Sequence, residues 1–129
     1  MQSPEKLRVF SEAEDLAIGV YRIAGALPSI ERYGLSQQIR RAAVSIGSNI
    51  AEGCGRGSGR ELARFLEIAL GSTAELEFQL RLAHRLGYLG SADHLDLRER
   101  ARRIQRMLIR LITRVRPALE TYPRPAVNR

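Results

Sequence analysis

The chain has 129 residues, a single cysteine, no tryptophan and a formal charge of +7, a size that accommodates one domain with a modest core. With 44% hydrophobic and 27% charged residues it is composed like an ordinary globular chain, and no apolar run approaches the ~20 residues that a membrane span needs. The start MQSPEKLRVF lacks the apolar core of a signal peptide, so a cytoplasmic location is expected, and Cys54 alone excludes an internal disulfide or a cysteine-based metal cluster.

The elements follow from apolar spacing and punctuation. Residues 1–10 read as a short N-terminal arm. Ser11 with Glu14 fits a capping box, and Ala13, Leu16, Ala17, Val20, Ala24 and Leu27 then form a helical stripe that Pro28 ends. After the linker PSIERYG, a second helix is predicted from about Leu35 to Glu52, with Leu35, Ile39, Ala42, Ile46 and Ile50 on one face. Its neighbouring face, Gln38, Arg41, Ser45, Asn49 and Glu52, is polar, and Ser45 and Asn49 at its centre, where a solvated face would carry Lys and Glu, favour close packing.

The segment GCGRGSG, with four glycines, forbids regular structure at reasonable entropic cost. Ser58 with Glu61 forms a second capping box, and Leu62, Leu66, Ala69, Thr73, Leu76, Leu80 and Ala83 alternate steps of four and three. That predicts a helix of about 27 residues, roughly 40 Å long at 1.5 Å per residue, with Gly87 as its left-handed stop. Ser91 is the expected cap of a last helix whose seam is Leu97, Ala101, Ile104, Leu108, Leu111 and Val115, weakening at Pro117. Residues 120–129 read as a flexible tail, and the fold expected for residues 11–119 is an all-α, antiparallel up-down-up-down four-helix bundle.

Two features point beyond an isolated bundle. The third helix carries Ile68, Gly71, Phe78 and Leu82 opposite its seam; a helix apolar on two sides is usually buried on two sides, so a subunit interface is expected there. The charge, moreover, is regional. Residues 1–97 hold 11 basic and 12 acidic side chains, whereas residues 98–129 hold ten arginines against Glu99 and Glu120. Arg103, Arg106, Arg110 and Arg114, with Arg98 and Arg102 in support and Arg100 and Arg116 alongside, form a stripe opposite the last seam, spaced as phosphate contacts require. The competing reading is a solvated face balanced by the acids of another subunit.

No catalytic centre emerges. The glycine loop leads into a helix start, yet no Lys-Ser/Thr follows it and no strand precedes it, so a connector is favoured over a phosphate loop. Glu52, Glu67 and Glu75 could gather in a bundle, but residues 81 and 91, three before His84 and His94, are Arg and Ser rather than the Glu of a di-metal motif. The acids are expected to pair with Arg40, Arg41, Arg56 or Arg64. A triad of Ser45, His84 and Glu75 has no support in spacing. Neither a cofactor, a metal nor a small-molecule substrate is expected.

YGLSQQIRRAAVSIGSNIAEGCGR (33–56) and FLEIALGSTAELE (65–77) closely resemble the family called four helix bundle proteins, which includes proteins encoded in intervening sequences of bacterial 23S rRNA genes. The resemblance covers roughly residues 8–115, with an extra residue pair in the PSIERYGL linker. It implies a ring-like homopentamer, no established catalysis, and RNA or DNA as the binding partner. The family's characteristic positions fall on Gln38, Arg41, Ser45, Asn49, Glu52, Gly53, Arg56, Glu67, Gly71, Ser72 and Glu75, expected as structural or interface residues. The function expected is therefore a non-enzymatic homo-oligomer that holds nucleic-acid backbone on the last helix. The alternative is a protein-interaction scaffold with no nucleic-acid role.

Overall fold

The computed structural model describes residues 3–116 as four α-helices: α1 (Pro4–Ala24), α2 (Leu35–Cys54), α3 (Gly59–Arg85) and α4 (Ser91–Val115). A single 3-10 turn, Ser29–Glu31, lies between α1 and α2, and no strand occurs among the described residues. Each helix packs on its neighbours in sequence and α4 closes the bundle against α1, while α1 and α3 stay apart on a diagonal.

The expected N-terminal arm is instead the first two turns of α1. Ser3 caps the helix, accepting from the Glu5 and Lys6 amides at 3.2 and 3.3 Å, and Pro4 takes the first turn, where no amide partner is needed. Ser11 is therefore mid-helix and its capping box is not formed. The cause is tertiary: Val9 is fully buried, so the apolar stripe begins before Ala13. At the other end α1 stops at Ala24, and Leu27 packs into the core from the connection. Residues 117–119 of the expected bundle and the expected tail, 120–129, lie outside the described residues.

The seams close as their spacing requires. Leu16 and Val20 of α1, Ile39, Ile46 and Ile50 of α2, Leu66, Leu76 and Leu80 of α3, and Ile104 and Leu108 of α4 are all fully enclosed. Met107 and Ile112 join the core from the two flanks of the α4 seam, a wider apolar stripe than a strict heptad has. Thr73 is buried too, with its hydroxyl donating to the Leu70 carbonyl at 2.6 Å, so the core keeps no unpaired hydroxyl there.

Polar bonds secure the helix ends. Ser36 Oγ donates to the Ala24 carbonyl at 3.0 Å, giving a partner to an end group of α1 from inside α2. Glu31 caps α2 from the 3-10 turn, accepting from the Leu35 amide at 3.1 Å and from Tyr88 Oη at 3.2 Å, which ties the α3–α4 turn to the same spot. Ser58 caps α3 as its spacing predicts, accepting from the Glu61 amide at 3.2 Å. For α4 the cap is Gly90, and Ser91 is the first helical residue with no side-chain bond. Gly87, at φ 81°, supplies the left-handed residue that closes α3.

Candidate functional site

The arginines of α4 do not form one free stripe. On the flank toward α1, Arg103 Nη1 lies 3.3 Å from Glu12 and Arg114 contacts Glu5. On the flank toward α3, Arg102 Nε lies 2.6 Å from Glu77 and Arg116 contacts Glu67, while Arg100 pairs with Asp96 on its own helix. Arg106 and Arg110 stand exposed and form no ion pair among the described residues; Arg110 lines a small cavity with Glu5 and Arg8. Exposed pairs of this kind are worth only about 0–1 kcal/mol each, so a phosphate could displace most of the carboxylates.

Between α3 and α4, on the side of their turn, an open groove of about 480 Å³ is lined by Arg81, His84, Arg85, His94, Arg98 and Arg102, among others. The His84 and His94 rings stack at 4.6 Å, and His84 Nδ1 lies 2.9 Å from the Leu89 carbonyl. A carbonyl only accepts, so this nitrogen carries the proton and fixes the tautomer of the neutral ring. Burial foremost, then the facing His84 and the charges of Arg98, Arg81 and Arg102, push the His94 pKa below its ordinary 6.5. His94 is thus neutral near pH 7 inside a positive field. Sequence periodicity singles out neither Arg81 nor Arg85; the usable signal is the register about Gly87, in which 84 meets 94 and 77 meets 102.

The polar face of α2 meets α3. Ser45 Oγ bonds Ser72 Oγ at 2.9 Å, and Asn49 Nδ2 donates to the Ser45 carbonyl and hydroxyl at 2.8 and 3.0 Å. Gln38, Arg41 and Glu75 line an open groove beside this cluster with the half-shielded Ser45 and the buried Gln79, whose Oε1 has no hydrogen-bond partner among the described residues. Glu52 pairs with Arg56 at 2.9 Å, and Arg56 also reaches Glu61 and lies 5.1 Å over the Phe65 ring. Of the expected pairings of the acids, Glu52–Arg56 forms, Glu67 turns to Arg116 instead, and Glu75 forms no ion pair among the described residues. Gly53 marks a close approach of α2 to α3, because a Cβ there would stand 2.8 Å from Phe65 Cβ. Gly71 is open, with nothing among the described residues within 4 Å of such an atom, so it serves no approach between these helices.

Ser45 and His84 line different grooves, on opposite sides of α3, and are not brought together. Burial raises the Cys54 thiol above its ordinary pKa, which favours the protonated form. Among the described residues no three His, Cys, Asp or Glu side chains converge as a metal ion would need. No helix among them is long and apolar enough to cross a membrane.

Comparison with known proteins finds a family model, described as 23S rRNA-intervening sequence protein, that matches residues 5–110. A crystal structure of a protein of unknown function from the S23 ribosomal protein family of Bacteroides thetaiotaomicron superposes with a TM-score of 0.79 at 25% identity. The match covers 84% of this chain and 98% of that one. No curated protein matches the chain.

Proposed function

The chain belongs to the family of 23S rRNA-intervening sequence proteins, and from that premise we propose that it is a non-catalytic, oligomeric helical bundle that binds the phosphate backbone of RNA or DNA along α4. The observation that carries this reading is the outer face of α4. Arg106 and Arg110 are exposed there without an ion pair among the described residues, and Arg102, Arg103 and Arg114 flank them in weak, exchangeable pairs. Guanidinium groups at helical spacing meet successive phosphates without reading bases, so binding is weakly sequence-specific and falls steeply with salt.

The bundle is read as up-down-up-down. Cross-helix pairs with descending register support it: Ala13 near Gly47 and Ala24 with Ser36, then Ser45 with Ser72, then Glu77 with Arg102 and His84 with His94. The oligomer is read as a closed ring, a pentamer as the family resemblance implies. Two different apolar patches support a head-to-tail contact. One is Ile18, Tyr21 and Val44 on α1 and α2, and the other is Ile68 and Leu82 on α3, with Phe78 left at its edge toward the α3–α4 groove. Unlike patches that meet around a rotation axis close a ring, whereas a two-fold dimer needs only one.

The test is fluorescence anisotropy with labelled duplex and single-stranded RNA and DNA at low salt, comparing the wild type with Arg106→Glu/Arg110→Glu. This pair leaves the Glu5 and Glu12 contacts intact, so the bundle persists. The expected result is binding that the double change abolishes and that weakens at least tenfold between 50 and 200 mM salt. Failure of all four nucleic acids to bind at low salt overturns the reading.

A further inference from the structure

The groove between the C-terminal half of α3 and the N-terminal half of α4 has chemistry that a backbone-binding helix face does not use. At about 480 Å³ it matches a small-molecule pocket rather than a single-ion site. Arg81, Arg85, Arg98 and Arg102 line it, and Glu77, the one carboxylate of the lining, is already bound by Arg102. Phe78 stands on the same wall with 65% of its surface exposed. Two further nitrogens, His94 Nε2 and Arg98 Nε, are shielded from solvent and have no hydrogen-bond partner among the described residues, an imbalance that a small rotation of either side chain toward a ligand oxygen would relieve.

We propose that this groove binds one nucleotide unit, its phosphate held by Arg81, Arg85 and Arg98, with Arg102 released from Glu77 to join them, and its base laid against Phe78. A lone carboxylate would satisfy few of these donors, whereas phosphate oxygens match several guanidinium forks at once. An exposed phenylalanine ring beside the anion site adds stacking that tolerates any base. Two sources present the same chemistry, a nucleotide within a bound strand and a free mononucleotide. Only the first source rests on the backbone-binding reading of α4.

The bound anion also meets a proton-linked wall. His94 faces Arg81 and His84 from α3 and Arg98 and Arg102 from its own helix, with Glu77 and Arg85 completing the charged lining. An anion among these groups offsets their field, so binding draws a proton onto His94 and strengthens as pH falls toward 6. A phosphodiester does not itself titrate in this range, which assigns the change to the protein.

The experiment titrates the full chain with a mononucleotide 5′-monophosphate and with a short strand that has no terminal phosphate, by calorimetry at pH 7.5 and 6.0. Arg81→Gln and Arg98→Gln should each weaken both ligands about tenfold, and Phe78→Ala several-fold. Glu77→Gln, which removes the competing carboxylate, should tighten them several-fold. Strand binding should strengthen at pH 6.0 in the wild type and less so in His94→Gln. Mononucleotide binding that survives Arg106→Glu/Arg110→Glu separates the groove from the α4 face. Unchanged affinities in Arg81→Gln and Arg98→Gln, with helical circular dichroism intact, or no binding of either ligand, overturn the proposal. Loss of groove binding alone leaves the backbone reading of α4 in place, and mononucleotide binding without strand binding does the reverse.

Discussion

Two glycines of α2, six residues apart, should respond in opposite senses to the same added methyl group. At Gly53 a Cβ would lie 2.8 Å from Phe65 Cβ, 3.3 Å from Leu62 Cδ1 and 3.4 Å from the Leu62 carbonyl. Phe65 Cβ is anchored to its own backbone, so relief requires α2 and α3 to move apart. Overpacking of this sort costs about 1–3 kcal/mol, offset by about 0.5 kcal/mol of improved helix propensity near the end of α2. Gly53→Ala should therefore lose about 1–2 kcal/mol. At Gly47, in the middle of α2, the new atom would meet only Ala13 Cβ at 3.9 Å, an ordinary contact. Gly47→Ala should gain about 0.5–1 kcal/mol from propensity and from a less free unfolded chain. The pair should differ by about 1.5–3 kcal/mol, or roughly 6–12 °C in Tm at about 4 °C per kcal/mol for a chain of this size. Thermal unfolding followed by circular dichroism at one fixed protein concentration reads this directly. A Gly53→Ala protein as stable as Gly47→Ala would refute the claim that α2 and α3 are held at glycine distance there.

Two other outcomes are expected. Gly71 is open among the described residues, so Gly71→Leu should fold normally and report only on contacts between copies; light scattering should show the mass falling toward the 14.5 kDa of the protomer, and an unchanged mass would place the interface off the outer face of α3. Stability should also respond to acid through His94, whose folded pKa is depressed while the unfolded chain titrates near 6.5. The unfolded state then binds more protons, so stability is full above about pH 6.5 and is lost as pH falls through the lower folded value. Chemical denaturation between pH 7.5 and 5.5 should show this slope, flattened in His94→Gln; equal slopes in both proteins would sink the assignment.

The sequence by itself determined the helices and their inward faces. The four-three rhythm from Leu62 to Ala83 and the stripe from Leu35 to Ile50 are buried throughout, because a helix places residues three and four apart on one side whatever surrounds it. Gly87 and Ser58 were equally legible, since their roles depend on local backbone geometry alone. The start of α1 was harder to place, because Ser11 with Glu14 has the local pattern of a cap, and only the burial of Val9 carries the helix back to Ser3.

Only the tertiary structure decided which charges meet. Arg103 and Arg114 lie on one flank of α4 and Arg102 and Arg116 on the other, a division that periodicity permits but cannot assign to Glu12 and Glu5 or to Glu77 and Glu67. The groove was likewise hidden, since Arg81, His84 and Arg85 read as an ordinary helix end until the turn at Gly87 folds them against His94 and Arg98. Helical spacing is a property of one element, whereas a site drawn from two elements depends on their register, which the packing of the seams alone sets.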